Sequence, residues 1–180
     1  YFKEVVNLTD KLTKSYPNYF MFWKILGLAN FKLNNFKNAE IALKKAYSLK
    51  SEDISILMNL SLICSKQNNW LKSNSFAKSI LKINPDCAEA YFLIASNLVN
   101  QGKLDEAIYF YNKAVLLKPN YYQAYHNLGN IFSKKGELNE GIKNYLKAID
   151  INPKFADSYF CLGLNYHEKL ENKRAITYYI

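Results

Sequence analysis

The sequence predicts an all-α fold, a right-handed α-solenoid of stacked helix-turn-helix repeats. The first indication is a constant period, because Pro85, Pro119 and Pro153 lie 34 residues apart and Pro17 lies two periods before Pro85. Four residues that tolerate the left-handed backbone at a helix end keep the same period: Asn34, Asn68, Gly102 and Gly136. Apolar residues recur at helical spacing within each period, and no segment alternates as a β-strand does. A fixed period of this length is the signature of a helical repeat array.

The period divides the chain into six segments when Phe20 is taken as the first position of a repeat. We expect residues 1–19 to form the second helix of a preceding repeat, which ends at Pro17. Four full repeats follow, each with a first helix (helix A) and a second helix (helix B): 20–53, 54–87, 88–121 and 122–155. Residues 156–180 then form a truncated repeat. Because the chain begins with Tyr1 and its last repeat is incomplete, we expect it to be a piece of a longer protein.

The local chemistry of the backbone explains where these helices break and how closely they pack. Proline has no amide hydrogen and disfavours the α conformation in the preceding residue, so Asn-Pro and Lys-Pro pairs end helix B. The eighth position of each repeat is small: Gly27, Ser61, Ala95, Gly129 and Gly163. A bulky side chain there would overpack helices A and B, at a cost of ~1–3 kcal/mol. We expect the aromatic residues at the fourth position to fill the space beside them: Trp23, Tyr91, Tyr125 and Tyr159.

These positions match a known repeat pattern of a large aromatic, Leu-Gly and a second aromatic, followed by Ala, an aromatic and Pro. The match is fullest in the repeat that begins at Tyr122: Tyr125, Leu128, Gly129, Phe132, Gly141, Tyr145, Ala148 and Pro153. It is weakest in the repeat that begins at Ile54. The chain therefore resembles the tetratricopeptide-repeat superfamily over essentially its whole length. The resemblance implies a superhelix whose concave groove, lined mainly by helix A, holds a protein or peptide.

The resemblance also indicates which side chains face this groove. The fifth position of helix A should form a ladder along it: Lys24, Met58, Phe92, His126 and Phe160. Methionine and aromatic side chains are enriched at protein interfaces. The alternative is that these side chains pack against helix A of the next repeat.

Asparagine at the sixth position gives a second set of candidate binding residues, Asn59 and Asn127. It resembles the asparagines that grip a peptide backbone in the superhelix of O-linked N-acetylglucosamine transferases. An amide side chain both donates and accepts hydrogen bonds, so it can hold a main chain without reading its sequence. Asn130 lies one turn further along and is the last candidate. The alternative is hydrogen bonding within the helix surface.

The net charge of +9 raises the question of a nucleic-acid partner. The charged residues expected in the groove are nearly balanced, and the excess lysine falls on helix B, where we expect it to solvate the outer face. We therefore predict no nucleic-acid partner. No apolar stretch reaches about 18 residues, so we predict no membrane partner either.

Catalytic and cofactor motifs are not found in the sequence, so we predict no enzyme activity, no cofactor and no metal for this chain. Cys161, His126 and His167 form only a loose cluster, which does not share one helix face. Three cysteines without close pairing indicate reduced thiols and hence a cytoplasmic location.

Three functional hypotheses follow. The first is a scaffold that binds a partner peptide or helix in the concave groove. The second is the substrate-recognition arm of a larger enzyme, such as a glycosyltransferase, with the catalytic domain outside this chain. The third is self-association through exposed terminal repeats, including Ile176, Tyr179 and Ile180.

Overall fold

The structure, a computed structural model, describes residues 1–179 and confirms the all-α fold. Within this range it contains eleven α-helices and no strand: α1 (Phe2–Ser15), α2 (Phe20–Lys32), α3 (Phe36–Leu49), α4 (Ile54–Lys66), α5 (Trp70–Ile83), α6 (Ala88–Asn100), α7 (Leu104–Leu117), α8 (Tyr122–Lys134), α9 (Leu138–Ile151), α10 (Ala156–Glu168) and α11 (Asn172–Tyr179). Ile180, named in the self-association hypothesis, lies outside the described residues. None of the described helices is long and apolar enough to cross a membrane.

The chain divides into two compact units, which are described separately. Unit 1 comprises Tyr1–Asn97, and unit 2 begins at Leu98, within α6. In each unit, a 13-residue helix A alternates with a longer helix B, except that α11 has eight described residues. The boundaries of the repeats themselves remain a prediction.

The turn between helix A and helix B uses the left-handed backbone conformation at a fixed register. As expected, φ is positive at Asn34, Asn68, Gly102 and Gly136, with values of 59°, 58°, 76° and 80°. The next amide closes the turn, as when Asn35 N donates to Asn30 O at 2.9 Å. Leu170, one period after Gly136, also has a positive φ of 62°, which the sequence analysis did not anticipate because leucine disfavours this conformation.

Small residues at the eighth position permit close contact between helices, as predicted. A Cβ atom on Gly27 would lie 2.5 Å from Cγ of Leu43, and one on Gly129 would lie 2.5 Å from Cε1 of Tyr145. In the α10–α11 pair, a Cβ atom on Gly163 would meet the ring of Tyr179. The side chains nearest to these glycines come from helix B. That the aromatic residues at the fourth position (Trp23, Tyr91, Tyr125 and Tyr159) fill the space beside the small residues remains a prediction.

Buried asparagines link successive repeats in both units. In unit 1, Asn97 Oδ1 accepts from Ser65 Oγ at 2.8 Å, and Asn97 Nδ2 lies 2.8 Å from Ser73 Oγ. In unit 2, Asn165 Nδ2 donates to Ser133 Oγ at 2.7 Å. Asn97 and Asn165 occupy equivalent positions and are almost inaccessible to solvent. Because an unsatisfied buried amide is costly, these contacts favour one register between neighbouring repeats.

Candidate partner-binding surface

An exposed stripe runs along one face of α10 in unit 2. Its members are spaced by three or four residues, which places them on the same side of the helix: Asp157, Phe160, Leu164 and Glu168. Phe160 is 58% exposed and Leu164 is 41% exposed. The opposite face of α10 is buried through Leu162 and Tyr166. The two apolar side chains of the stripe therefore face solvent although α10 has a well-packed apolar side.

The stripe adjoins a cavity between α10 and α11. The cavity has a volume of about 440 Å³ and is lined by Ala156, Tyr159, Phe160, Thr177, Tyr178 and Tyr179. Its aromatic wall is held in place because Gly163 admits the ring of Tyr179 against α10. The ring centroids of Phe160 and Tyr179 are 6.1 Å apart. Phe160 is thus oriented by a neighbouring ring while more than half of its surface stays accessible.

His126 lies half-buried between α8 and α10. Its Nδ1 atom is 3.0 Å from Ser158 Oγ, and its Nε2 atom is 3.1 Å from Asn130 Nδ2. The amino group of Asn130 can only donate, so Nε2 accepts and the proton of the neutral ring resides on Nδ1, from which it is donated to Ser158. The ring of Phe155 packs edge-on at 5.0 Å. The side chain of His126 therefore holds α8 and α10 together.

The surroundings of His126 favour its neutral form. Burial lowers the pKa of His126, and the negative charge of Asp157 partly opposes this effect. Protonation would also place a donor on Nε2, facing the amino group of Asn130. On the other side, Tyr145 Oη donates to Asn130 Oδ1 at 2.7 Å, and burial raises the pKa of Tyr145. Both ends of the exposed Asn130 amide are consequently oriented by the protein.

The two asparagines at the sixth position hydrogen bond within the chain. Asn59 Nδ2 donates to Ser55 O at 2.6 Å, one turn earlier in α4, which is the local contact that was the alternative. Asn127 Nδ2 donates to the hydroxyl of Tyr111 on α7 at 2.9 Å. A role for Asn59 and Asn127 in gripping a partner backbone therefore remains a hypothesis, and it would require these bonds to be shared or exchanged.

The candidate residues of unit 1 are less accessible than Phe160. Lys24 Nζ lies 2.8 Å from Asp53 Oδ2, and this ion pair joins α2 to the first turn of α4. Asp53 also caps α4 by accepting from the amides of Ser55 and Ile56. Burial alone would raise the pKa of Asp53, but the hydrogen bonds and the charge of Lys24 outweigh it and leave the pKa lowered. The cation of Lys24 is thus already neutralised within unit 1.

Two apolar candidates of unit 1, Met58 and Phe92, are half-buried. Met58 packs against a buried cluster that contains Leu57, Ile80 and Ala90, the last of which lies on α6, helix A of the next repeat. Packing against the next helix A was the alternative role expected for the fifth position. Both residues remain predictions as binding residues.

Sequence reasoning missed Leu164 and the bonding partners of His126. Leu164 lies one helical turn after Phe160, on the same side of α10, so its spacing was a usable signal. The Ser158 contact had no such signal, because it depends on how α10 packs against α8. Within residues 1–179, no three His, Cys, Asp or Glu side chains converge on a possible metal site.

Family models describe three segments of the chain. A TPR-repeat model matches residues 95–136 and 129–169, and a tetratricopeptide-repeat model matches residues 23–53. Together the matched segments cover more than half of the chain, with the helix pairs and turns described above. The chain belongs to the tetratricopeptide-repeat family. A comparison with curated protein sequences gives no significant match.

The fold of this tetratricopeptide-repeat chain is similar to that of several solved structures. MamA is 24% identical, with 89% of this chain and 87% of MamA covered and a TM-score of 0.75. PilW, a type IV pilus biogenesis factor, is 18% identical, with 98% and 82% covered and a TM-score of 0.85. YrrB, described as a TPR protein with an unusual peptide-binding site, is 16% identical, with 94% and 88% covered and a TM-score of 0.69. At these identities the likeness shows the fold.

Proposed function

We propose that this tetratricopeptide-repeat chain is a protein-interaction scaffold that binds a segment of a partner on the exposed faces of α8 and α10. The observation that carries the proposal is the pair of apolar side chains at Phe160 and Leu164, which are exposed on α10, the last helix A of this sequence, while the other face of α10 is packed. Apolar side chains that are clustered and exposed mark interaction sites more often than scattered ones. The peptide-binding site of YrrB supports the same use of the fold.

The charges around the stripe define the chemistry of the partner. Asp157 and Glu168 lie at its two ends, and both are exposed. An α-helix rises 1.5 Å per residue, so the two carboxylates are separated by roughly 16 Å along the axis of α10. A matching segment would present a pair of apolar side chains between two cations. The apolar pair would supply most of the affinity, since exposed ion pairs contribute only about 0–1 kcal/mol each.

Asn130 on α8 is the polar candidate of the proposed surface. Its amino group has a second hydrogen besides the one directed at His126, and its carbonyl oxygen has a second lone pair besides the one used by Tyr145. Because both of its internal bonds fix the orientation of the amide, little side-chain entropy is lost when a partner backbone binds. Asn130 is therefore suited to hold the main chain of a bound segment.

Selection of random peptides on the immobilised protein tests this proposal. We expect the selected peptides to carry two apolar residues flanked by Lys or Arg, and to bind a Phe160→Ala, Leu164→Ala variant at least about tenfold more weakly. The matched control is Tyr109→Ala, Leu116→Ala, which removes an exposed aromatic and an exposed leucine from α7. Equal affinity of the selected peptides for both variants would show that the α10 stripe is not the binding surface.

The finer hypotheses are not needed for this proposal and stay open to test. The hypothesis of a glycosyltransferase recognition arm rests on the 34-residue period, the Asn-Pro junctions, Asn59 and Asn127, and sequencing of the adjoining reading frame would test it directly. Self-association through Ile176 and Tyr179 predicts a sedimentation mass that rises with protein concentration. The cytoplasmic location likewise remains a prediction.

A further inference from the structure

The outer helices of unit 1 concentrate the positive charge of the chain. Helices α1, α3 and α5, here called the basic layer, carry nine lysines and three acidic residues, a net charge of +6. The whole of residues 1–97 has thirteen lysines and seven acidic residues, which is also +6. The remaining helices and turns of unit 1 are therefore neutral in sum, and the entire excess lies on the B helices.

The composition of the chain does not account for this concentration. The equivalent B helices of unit 2, α7, α9 and α11, carry five basic and four acidic residues, a net charge of +1. A coding bias towards lysine would act on both units alike. Helix α5 has no acidic residue at all, whereas α7 and α9 have two each. The positive charge is thus a local property of the basic layer.

Two of the three acidic residues of the basic layer pair with lysines of the layer. Asp10 pairs with Lys14 at 2.6 Å, and Glu40 pairs with both Lys44 and Lys72. The third, Glu4, is 86% exposed and pairs with no lysine among residues 1–179. The Glu40–Lys72 pair links a side chain of α3 to one of α5. Six exposed lysines of the layer have no ion-pair partner among residues 1–179: Lys3, Lys11, Lys37, Lys45, Lys78 and Lys82.

Four large aliphatic side chains are exposed on these helices: Leu8, Ile41, Leu71 and Ile83. Ile41 on α3 is 57% exposed, and Leu71 on α5 is 82% exposed. The aromatic residues of α3 and α5 are at least partly buried, so within the layer only Phe2 on α1, which is 40% exposed, offers a ring on which a base could stack. Aliphatic contacts combined with cations favour a protein segment that carries both carboxylates and apolar side chains over a nucleic acid.

We propose that the basic layer of unit 1 is a second docking surface, which binds an acidic segment of a partner protein bearing aliphatic side chains. The layer differs in charge from the α10 stripe, whose ends are acidic, so the two surfaces select different segments. Six unpaired cations give the encounter a favourable long-range attraction that weakens as salt concentration rises. Ile41 and Leu71 supply the short-range apolar contact.

A labelled synthetic peptide of glutamates interrupted by two leucines tests the proposal, with its affinity measured by fluorescence anisotropy. The variant Lys37→Glu, Lys45→Glu, Lys78→Glu reverses three charges in the layer. Its matched control, Lys113→Glu, Lys143→Glu, Lys147→Glu, makes the same change in net charge on α7 and α9. We expect the first variant to bind about tenfold more weakly or worse, and the control to change by less than about twofold. The Ile41→Ser, Leu71→Ser variant should also bind more weakly, without a change in net charge.

Several results would overturn this proposal. If the layer variant and its control lose peptide affinity to the same extent, the loss is a general effect of net charge. Tighter binding of an oligonucleotide, or of vesicles containing phosphatidylserine, than of the peptide would assign the layer to another class of partner. If the wild type does not bind the peptide, the proposal is refuted. The milder variant Lys37→Gln, Lys45→Gln, Lys78→Gln keeps the test valid if charge reversal disturbs folding, and circular dichroism checks each variant.

Discussion

Replacing Leu170 by asparagine is expected to stabilise the α10–α11 helix pair. Leu170 has a φ of 62°, in the left-handed region, and is 84% exposed. Asn34 and Asn68, at the equivalent position of earlier repeats, adopt the same conformation with φ of 59° and 58°. The chain itself therefore shows that asparagine fits this turn.

The size of the effect follows from backbone strain. A left-handed conformation costs roughly 1–2 kcal/mol for a residue with an ordinary Cβ, and much less for asparagine. Because the Leu170 side chain is largely in solvent, little apolar burial is lost on substitution. The net gain should be about 1 kcal/mol, which is a factor of about five in a local opening equilibrium. Glycine should give a smaller gain, since it loses ~0.5–1 kcal/mol more backbone entropy on folding.

Amide hydrogen exchange of α11 is the suitable assay, because it reports local opening of this helix pair. Exchange in the Leu170→Asn variant should slow about fivefold, whereas Leu170→Ala, which keeps the Cβ strain, should change little. An alanine variant that matches the asparagine variant would show that relief of backbone strain is not the cause. An amide exchange rate in the Leu170→Asn variant equal to that of the wild type would refute the reasoning.

Two further predictions concern unit 2. The His126→Gln variant should lose stability less steeply than the wild type as pH falls. Because the pKa of His126 is lowered in the folded state, the unfolded chain takes up the proton first as pH falls. The stability that the wild type gains from neutral His126 is therefore fully present above about pH 6.5 and declines below it. Urea unfolding at several pH values measures this, and parallel profiles would contradict it. Gly129→Val should destabilise α8–α9 by about 3 kcal/mol, because its Cβ would press on the Tyr145 ring. Gly129→Val should destabilise the protein less when Tyr145 is also replaced by alanine. If the free-energy losses of the two single variants simply add in the double variant, the contact between residue 129 and Tyr145 is contradicted.

Sequence periodicity predicts the fold well because the repeat places the same local requirement at the same register. The left-handed turns at Asn34 and Gly136 follow from residue type alone. The conformation of Leu170 could not be predicted from residue type, since leucine disfavours the left-handed region that it adopts. Close packing at Gly129 was also predictable, but the identity of the facing side chain, Tyr145, depends on how helix B is rotated.

The binding surface was predictable only in part. Helical spacing identified Phe160, but exposure of its neighbours depends on which side chains are used internally. Lys24 illustrates the limit, because its partner Asp53 lies 29 residues away in sequence and neutralises a charge expected to be available. Asn59 was ambiguous for a similar reason, since an amide on a helix can bond to the preceding turn.

The most direct test of the central claim is to map a selected peptide onto the isotopically labelled protein by amide chemical-shift changes. If α10 is the partner-binding helix, the changes will concentrate at residues 157–168 and on the adjoining face of α8, and they will disappear in the Phe160→Ala, Leu164→Ala variant. Changes confined to α7 and α9, with α10 unaffected, would contradict the account.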